Sequence, residues 1–386
     1  MKRLSVAAIA LAILLQPRAA SAADRRPAEE TPRPRVEVVF VLDTTGSMGG
    51  LIQGAKERIW AIANALASVK GAPEIAMGLV GYRDRGDEYV TRITDLTDDL
   101  DAVYSNLMAY EANGGGDSPE SVNQALHEAV TKIKWSKDDT TFRAIYLVGD
   151  CPPHMDYQDD VQYPETCKKA VAADIIINTI QCGNDATTTP IWQKIADGSE
   201  GAYFQVEQSG GVVAVSTPFD KEMADLSAAL DRTRIYYGSA AEREESAKRI
   251  DRSTEIHDKA SAPAVAERAA FLAGAAGTTS FAGDKELLTD LAEGKAKLEG
   301  LDEKLLPEEL RKMTLDERRE FLGKEMERRK ELQAKITGLQ AERRTYIEKQ
   351  LHEKGLTEKD SFEKAILDSL GKQAAAKGII FEAMDK

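Results

Sequence analysis

Residues 36–50 read VEVVFVLDTTGSMGG, and this stretch decides the fold. The run over 36–42 is apolar apart from Glu37 and ends at Asp43, after which small hydroxylated residues and glycines precede a helical pattern that begins at Leu51. This order predicts a buried parallel strand followed by a polar turn. In an open α/β sheet, ligands bind outside the carboxyl ends of the strands, so we expect a functional site at this turn.

Three oxygen-bearing side chains alternate within the turn. Asp43, Thr45 and Ser47 can direct their oxygens toward one point. A hard cation such as Mg2+ or Ca2+ prefers ligands of this kind. The same residues would also suit an Asx or ST turn that closes the strand without any ligand, and the local spacing leaves both interpretations open.

The composition limits the classes of partner. A chain of 386 residues has room for two domains, or for one domain and a long extension. Its formal net charge of -14 argues against nucleic acid and against an anionic membrane surface as partners, because both require a basic face.

The amino terminus predicts export. Residues 1–22 begin with two basic residues, continue with an apolar core over 4–15, and end in Ala-Ser-Ala, which is the order of a secretory signal peptide cleaved near Ala22. The apolar core is too short to span a bilayer. We therefore expect a periplasmic or extracellular protein, with residues 23–35 as a linker rich in Pro, Arg and Glu.

Export would place the three cysteines in an oxidising compartment, where Cys151, Cys167 and Cys182 could pair. Their spacing matches neither a zinc ribbon nor a CxxC motif. Cys167 lies early in a predicted helix and Cys182 late in the strand that follows, so both should lie at the same end of the sheet. If their side chains face each other, this favours a Cys167–Cys182 disulfide. The competing pair is Cys151–Cys182, because both residues end neighbouring strands.

Apolar and alternating runs predict six strands, over 36–42, 75–82, 89–96, 142–150, 174–183 and 202–206. Amphipathic stretches predict the helices that separate or follow them, over 51–68, 100–110, 121–134, 164–173, 190–196 and 219–230. Such alternation predicts an α/β domain over 36–232, with a mostly parallel sheet between two layers of helices.

Beyond residue 232 the strand signals end. Residues 233–386 are rich in Ala, Glu, Lys, Leu and Arg, and a long charged helical pattern covers 305–355. We expect a helical region that forms a solvated hairpin or stalk, with a coiled coil and homo-oligomerisation as further options.

Two further loops carry acidic residues. The loop NGGGDSPES, over 113–121, contains Asp117 and Ser118, and the fourth predicted strand ends at Asp150. If that strand lies beside the first, Asp150 and Asp43 face the same crevice.

The motifs DTTGSM (43–48), GGGDSPES (114–121) and YLVGDCPPH (146–154) resemble, in this order, the metal-ion-dependent adhesion site of the von Willebrand factor A domain. The resemblance covers about 36–230. It implies a doubly wound six-stranded sheet in the order 3-2-1-4-5-6, with the third strand antiparallel.

The resemblance also implies a divalent cation, Mg2+ first and Mn2+ or Ca2+ as alternatives. Asp43, Thr45 and Ser47 would hold it, completed by the second loop and by Asp150. Many members of the family have a threonine in the second loop, where this chain offers Asp117 and Ser118. An added carboxylate would raise the affinity for a cation and weaken that cation as a receptor for an acidic ligand.

These features favour an exported, metal-dependent binding protein that recognises a protein or cell-envelope partner. One alternative is a metal-dependent hydrolase that uses His154 or Asp117 as base. Another is a structural scaffold that oligomerises through its helical half. Two further features have simpler interpretations: Arg85-Gly86-Asp87 is an RGD tripeptide expected by chance, and His154 is expected to be a solvent-exposed loop residue.

Overall fold

The computed structural model describes residues 33–67, 72–116, 118–211, 215–353 and 362–380. The predicted signal peptide, most of the predicted linker and Asp117 lie outside the described residues. Among the described helices, none combines the length and the apolar character that a bilayer crossing requires.

The described strands form one six-stranded sheet in the order β3-β2-β1-β4-β5-β6, in which only β3 runs antiparallel to its neighbour. The fold class and strand order predicted above are confirmed. The strands are β1 (Arg35–Asp43), β2 (Glu74–Tyr82), β3 (Thr91–Thr97), β4 (Phe142–Gly149), β5 (Ile176–Cys182) and β6 (Tyr203–Val206).

Strands β1 and β4 are neighbours in the sheet although they are not consecutive in the chain. Val41 pairs with Leu147 and Leu42 with Val148, so the two strands end side by side. The strand order changes direction at this point, and a crevice therefore opens beyond their carboxyl ends.

Thirteen described α-helices accompany the sheet: α1 (Gly49–Ala67), α2 (Leu100–Met108), α3 (Val122–Thr131), α4 (Tyr163–Ala172), α5 (Thr189–Asp197), α6 (Asp220–Asp231), α7 (Ala240–Lys259), α8 (Ala262–Ala273), α9 (Thr278–Ala282), α10 (Leu287–Ala292), α11 (Glu308–Arg311), α12 (Leu315–Glu353) and α13 (Phe362–Ala375). Helix α7 begins at a capping box, in which the hydroxyl of Ser239 and the carboxylate of Glu242 bind each other's backbone N–H groups.

The core has two layers, because side chains alternate across a strand. Phe40 and Leu42 of β1 pack with α1 and α2 on one face, whereas Val39 and Val41 pack with α3, α4 and α5 on the other. Burial on both faces explains why β1 has a nearly continuous apolar sequence and no polar alternation.

The sequence led us to expect a solvated hairpin or stalk, but the helical region packs against the sheet domain. Helix α8 packs on α1 and α6, α12 lies along α6 and α8, and α13 contacts α1 and β5. On α13, Ser369 shares a 2.8 Å hydrogen bond with the Tyr146 hydroxyl. The outer face of α12 carries the charged residues of the predicted helical pattern. Its inner face is buried and includes Leu322 and Ile336.

A buried ionic cluster joins the helical region to the sheet domain. The guanidinium of Arg268, in α8, is fully buried and donates two 2.6 Å hydrogen bonds to Asp101 of α2. It also donates to Asp231, at the end of α6, at 2.9 and 3.2 Å. The two carboxylates hold the pKa of Arg268 above its ordinary value although burial opposes this. A buried charge with such partners is costly to expose or to leave unpaired.

The predicted Cys167–Cys182 disulfide is not formed. All three cysteines lie within the described residues and carry free thiols. Cys167 packs in the layer of α3, α4 and α5, whereas Cys182 points into the opposite layer with α1. The prediction required the two side chains to face each other, and the sheet separates them.

We expect Arg268→Met to destabilise the protein by about 3–5 kcal/mol, since the buried Asp101 loses the guanidinium that pairs with it while Asp231 keeps Arg234 and His257. Urea unfolding followed by circular dichroism measures this change. The matched control is Arg344→Met on the exposed face of α12, where Arg344 pairs with Glu348; it should cost less than about 1 kcal/mol. Similar losses in both variants would contradict a structural role for the buried cluster.

We also expect three titratable thiols. Alkylation of the unreduced, denatured protein followed by mass spectrometry should add three labels, because all three cysteines carry free thiols in the structure and Cys167 and Cys182 lie on opposite faces of the sheet. A single label would indicate one disulfide and would contradict the arrangement described above.

Candidate functional site

The first loop begins where β1 ends. Asp43 is fully buried, and its Oδ1 accepts hydrogen bonds from the backbone N–H and the hydroxyl of Thr45, at 2.8 and 2.6 Å. The Thr45 hydroxyl lies 3.3 Å from that of Ser47, which is exposed. The structure therefore brings the three predicted residues together, and the Asx-type turn expected as the alternative is present as well.

The second oxygen of Asp43 has no such bonds. Asp43 Oδ2 is buried and lacks a hydrogen-bond partner among the described residues. Burial raises the pKa of Asp43 to about 7, against the lowering effect of the Thr45 bonds, and the charges of Asp150 and Asp87 add to the rise. A cation bound at this oxygen would offset all of these unfavourable effects.

Asp150 follows β4 directly and approaches Asp43 from the neighbouring strand. Its Oδ2 accepts a 2.6 Å hydrogen bond from Gln208, while its Oδ1 is buried without a partner in the described part of the chain. The preceding Gly149 permits the approach: a Cβ atom there would lie 3.1 Å from Asp43 Cβ and 3.2 Å from Asp43 Oδ2, and it would also overlap the Tyr82 hydroxyl. Gln208, on a distant loop, carried no signal in the sequence.

The second loop lies against the first. Asn113 donates its backbone N–H to the Thr44 carbonyl at 3.1 Å, and Gly46 donates to the Gly114 carbonyl at 3.2 Å. Gly115 has a φ of 72°, and a Cβ atom on it would come within 3.0 Å of Thr45, so glycine alone fits there without strain.

The sequence predicts Asp117 and Ser118 as candidate ligands in the second loop. Ser118 is exposed, and its side chain hydrogen-bonds the thiol of Cys151, whose pKa is raised to about 12 mainly by burial. Asp117 lies outside the described residues, so its prediction stays untested.

Glu120, in the same loop, was not singled out from the sequence although it belongs to the quoted GGGDSPES motif. Its side chain is 2% exposed, and its Oε2 is buried without a hydrogen-bond partner in the described ranges. Burial raises the pKa of Glu120 to about 9, and the charges of Asp43, Asp84, Asp87 and Asp150 contribute.

A polar cluster supports the second and third loops from outside. Asp84 accepts hydrogen bonds from Ser121 at 2.8 Å and from the Tyr157 hydroxyl at 2.9 Å. His154 stacks on Tyr157 with ring centroids 4.1 Å apart, and its Nε2 lies 3.4 Å from Asp84 Oδ2. His154 is thus buried, and the expectation of a solvent-exposed histidine is wrong, because an aromatic ring from the same loop covers it.

The RGD tripeptide is tied to its own chain. Arg85 forms ion pairs with Asp159 and Asp160, at 2.9 and 2.7 Å. Asp87 Oδ2 accepts from the backbone N–H groups of Asp84 and Gly115, at 3.2 and 3.0 Å. These contacts occupy both charged side chains, so the tripeptide connects loops of the site and is not displayed as a free recognition sequence.

The donor set combines carboxylates and hydroxyls. Asp43 and Asp150 supply two buried oxygens without partners among the described residues, Thr45 supplies a buried hydroxyl, and Ser47 supplies an exposed one. The described residues contain no group of three or more His, Cys, Asp or Glu side chains arranged as a metal cage. A mixed set of this kind fits a hard cation that completes its shell with hydroxyls and water.

Residues 37–217 match the family model of the von Willebrand factor A domain. The matched segment contains the whole sheet from Glu37 onward and all of the loops described above. The match supports a von Willebrand factor A domain over this part of the chain.

Two curated proteins are similar over short segments. The chain is 24% identical to the ariadne-like RING finger protein R811 of Acanthamoeba polyphaga mimivirus over 146 residues. This segment covers 38% of this chain and 14% of that protein. The chain is 30% identical over 95 residues to the N-acetyltaurine hydrolase of Bos taurus, covering 24% of this chain and 26% of that protein. The chain thus spans about a quarter or less of either relative.

Two solved structures are similar to part of this chain. The VWA domain of SpRpn10 has a TM-score of 0.35 at 14% identity, over 45% of this chain and 89% of that one. Proximal thread matrix protein 1 from the mussel byssus has a TM-score of 0.36 at 13% identity, over 50% of this chain and 45% of that one.

We expect Gly149→Ala to destabilise the protein by about 1–3 kcal/mol, because the added methyl group must displace Asp43 or Tyr82 in a close-packed interior. Urea unfolding is the measurement. Gly323→Ala on α12 is the matched control: nothing lies within 4 Å of the added atom, and the substitution should leave stability unchanged or raise it. An unchanged Gly149→Ala variant would contradict the close approach of β1 and β4.

Proposed function

We propose that the von Willebrand factor A domain of this chain is a divalent-cation-dependent binding domain. It would hold Mg2+, with Mn2+ or Ca2+ as alternatives, through Asp43, Thr45, Ser47 and Asp150, and would use the cation to contact a protein or cell-envelope partner. One observation carries the proposal: at the ends of adjacent strands, Asp43 Oδ2 and Asp150 Oδ1 are both buried, and neither has a hydrogen-bond partner among the residues that the structure describes.

Physical chemistry supports a cation here. A buried ionised carboxylate is strongly unfavourable unless it is paired, and the two carboxylates raise each other's cost because they carry like charge. A divalent cation between them removes both penalties. The exposed Ser47 hydroxyl leaves the outer side of such a cation open, which is where a partner could add a ligand.

The polar groups around the site favour binding over hydrolysis. A nucleophilic serine needs a base within hydrogen-bond reach. The Ser121 hydroxyl does donate to a carboxylate, that of Asp84, but Ser121 is fully buried and closed to a substrate, and the two ring nitrogens of His154 face Asp84 and Asp156. Neither residue is therefore oriented to activate water or a nucleophile at Asp43.

The predicted signal peptide supports a partner outside the cytoplasm. The helical region supports the same domain rather than a separate scaffold, because Arg268 and Arg343 connect it to α2 and α6 through buried ion pairs. We therefore propose that the helical region stabilises the binding domain, and that its exposed charged face is available for assembly.

We expect the wild-type protein to bind Mg2+ or Mn2+ in isothermal titration calorimetry, and a saturating cation to stabilise it against urea by about 2.7 kcal/mol at one hundred times Kd. Asp43→Asn should abolish both effects, because it removes the charge of the carboxylate that lacks a partner. Glu88→Gln is the matched control, since Glu88 is an exposed carboxylate of a neighbouring loop. Cation binding that survives in Asp43→Asn would contradict the proposed site.

Affinity capture from an envelope extract, with and without a chelator, would identify the partner. Proteins captured by the wild type in Mg2+ should be lost both with chelator and with Asp43→Asn. Capture that ignores both treatments would contradict a cation-dependent function.

A further inference from the structure

We propose that a cleft in the helical region binds a small zwitterion with an apolar body, which is the chemistry of an apolar amino acid. The cleft has a volume of about 310 Å3, and its two walls are formed by residues 232–236, which follow α6, and by α11 with α12. It shares no residue with the turn after β1, so this inference is independent of the proposed function.

A buried arginine holds the two walls of the cleft together. Arg329, on α12, donates to the Thr233 carbonyl at 2.7 Å and to both carboxylate oxygens of Glu286 at 2.9 Å. Glu286 also accepts the backbone N–H of Ile235 at 2.8 Å. These bonds fix the spacing between residues 232–236 and α12. A ligand would therefore enter a preformed cleft with little further ordering of the chain.

The two walls carry different charges. The wall formed by the residues after α6 contributes two arginines and no carboxylate, whereas the wall formed by α11 and α12 contributes two glutamates and one arginine. These lining residues are Arg232, Arg234, Glu309, Glu325 and Arg328. A phosphate would meet the two carboxylates and a simple amine would meet the three arginines, so each would face like charge. A ligand that carries one charge of each sign matches both walls.

Two oppositely charged side chains of the cleft lack partners in the described part of the chain. Arg232 and Glu309 are both exposed, and neither forms an ion pair or a side-chain hydrogen bond there. The pair of Arg328 and Glu325 is loose, with 3.6 Å between Nη1 and Oε2. A ligand carboxylate can meet the planar guanidinium of Arg232 through two hydrogen bonds, and a ligand ammonium group can meet the carboxylate of Glu309.

The uncharged part of the lining is mostly apolar. Leu310 is 1% exposed, and Ile235 and Phe321 are half-buried. An aliphatic or aromatic side chain placed against them would remove apolar surface from water. The volume lies at the small end of the range for ligand pockets, which is about 300–1,000 Å3, so the cleft suits a single amino acid better than a longer peptide.

Three probes with a common phenyl group test this inference on the full chain. L-Phenylalanine carries both charges, 3-phenylpropionate lacks the ammonium group, and 2-phenylethylamine lacks the carboxylate. Titration calorimetry should show that L-phenylalanine binds about tenfold more tightly than either analogue, because each analogue loses a hydrogen bond between charged groups. An analogue that binds as tightly as L-phenylalanine, or a wild type that binds none of the probes, would overturn the inference.

Two substitutions assign the contacts. Arg232→Gln should weaken the binding of L-phenylalanine about tenfold and leave that of 2-phenylethylamine unchanged. Glu309→Gln should weaken the binding of L-phenylalanine by a similar factor and leave that of 3-phenylpropionate unchanged. Both residues are exposed, so both variants should fold, and urea unfolding checks this.

The matched controls are Arg344→Gln and Glu348→Gln, because these residues form an exposed ion pair of α12 outside the cleft. Both controls should bind L-phenylalanine as the wild type does. An affinity for L-phenylalanine that is unchanged in either Arg232→Gln or Glu309→Gln would overturn the inference, whatever the result of the cation titration with Asp43→Asn.

Discussion

The burial of negative charge at the carboxyl end of β1 is the constraint on which the rest of the site depends. Asp43 is inaccessible to water, and only one of its two oxygens is satisfied, by Thr45. Such a group is unfavourable in a low-dielectric interior unless a countercharge meets it. Gly149 permits β4 to approach Asp43 closely, and Gly115 permits the second loop to approach Thr45. Gln208 donates a hydrogen bond to Asp150, in the loop after β4.

The helical region obeys the same physical rule with a different solution. Arginines of α8 and α12 enter the interior and meet acidic residues of α2 and α6, so each buried charge there has its partner within the chain. The contrast is informative. The buried carboxylates of α2 and α6 meet arginines, whereas Asp43 Oδ2 at the carboxyl edge of the sheet has no such partner among the described residues.

Local patterns in the sequence predicted much of the molecule. Strand positions, strand order and the grouping of Asp43, Thr45 and Ser47 follow from apolar periodicity, from a turn, and from the resemblance of three ordered motifs. Glu120 was overlooked within one of those motifs, because a glutamate in a loop is ordinarily solvated and nothing local indicates burial. The expectation for His154 was wrong because the stacking of Tyr157 on it depends on the conformation of the loop, which the sequence does not give.

The sequence by itself determined the alternation of strands and helices and the oxygen-rich turn after β1, because periodicity and turn chemistry act over a few residues. Only the tertiary structure decided which side chains face each other. Cys167 and Cys182 occupy opposite faces of the sheet, Arg268 meets Asp101 across 167 residues, and Gln208 reaches Asp150 across 58. Such pairings depend on register and packing between distant segments. Only this packing brings other carboxylates beside the turn that follows β1.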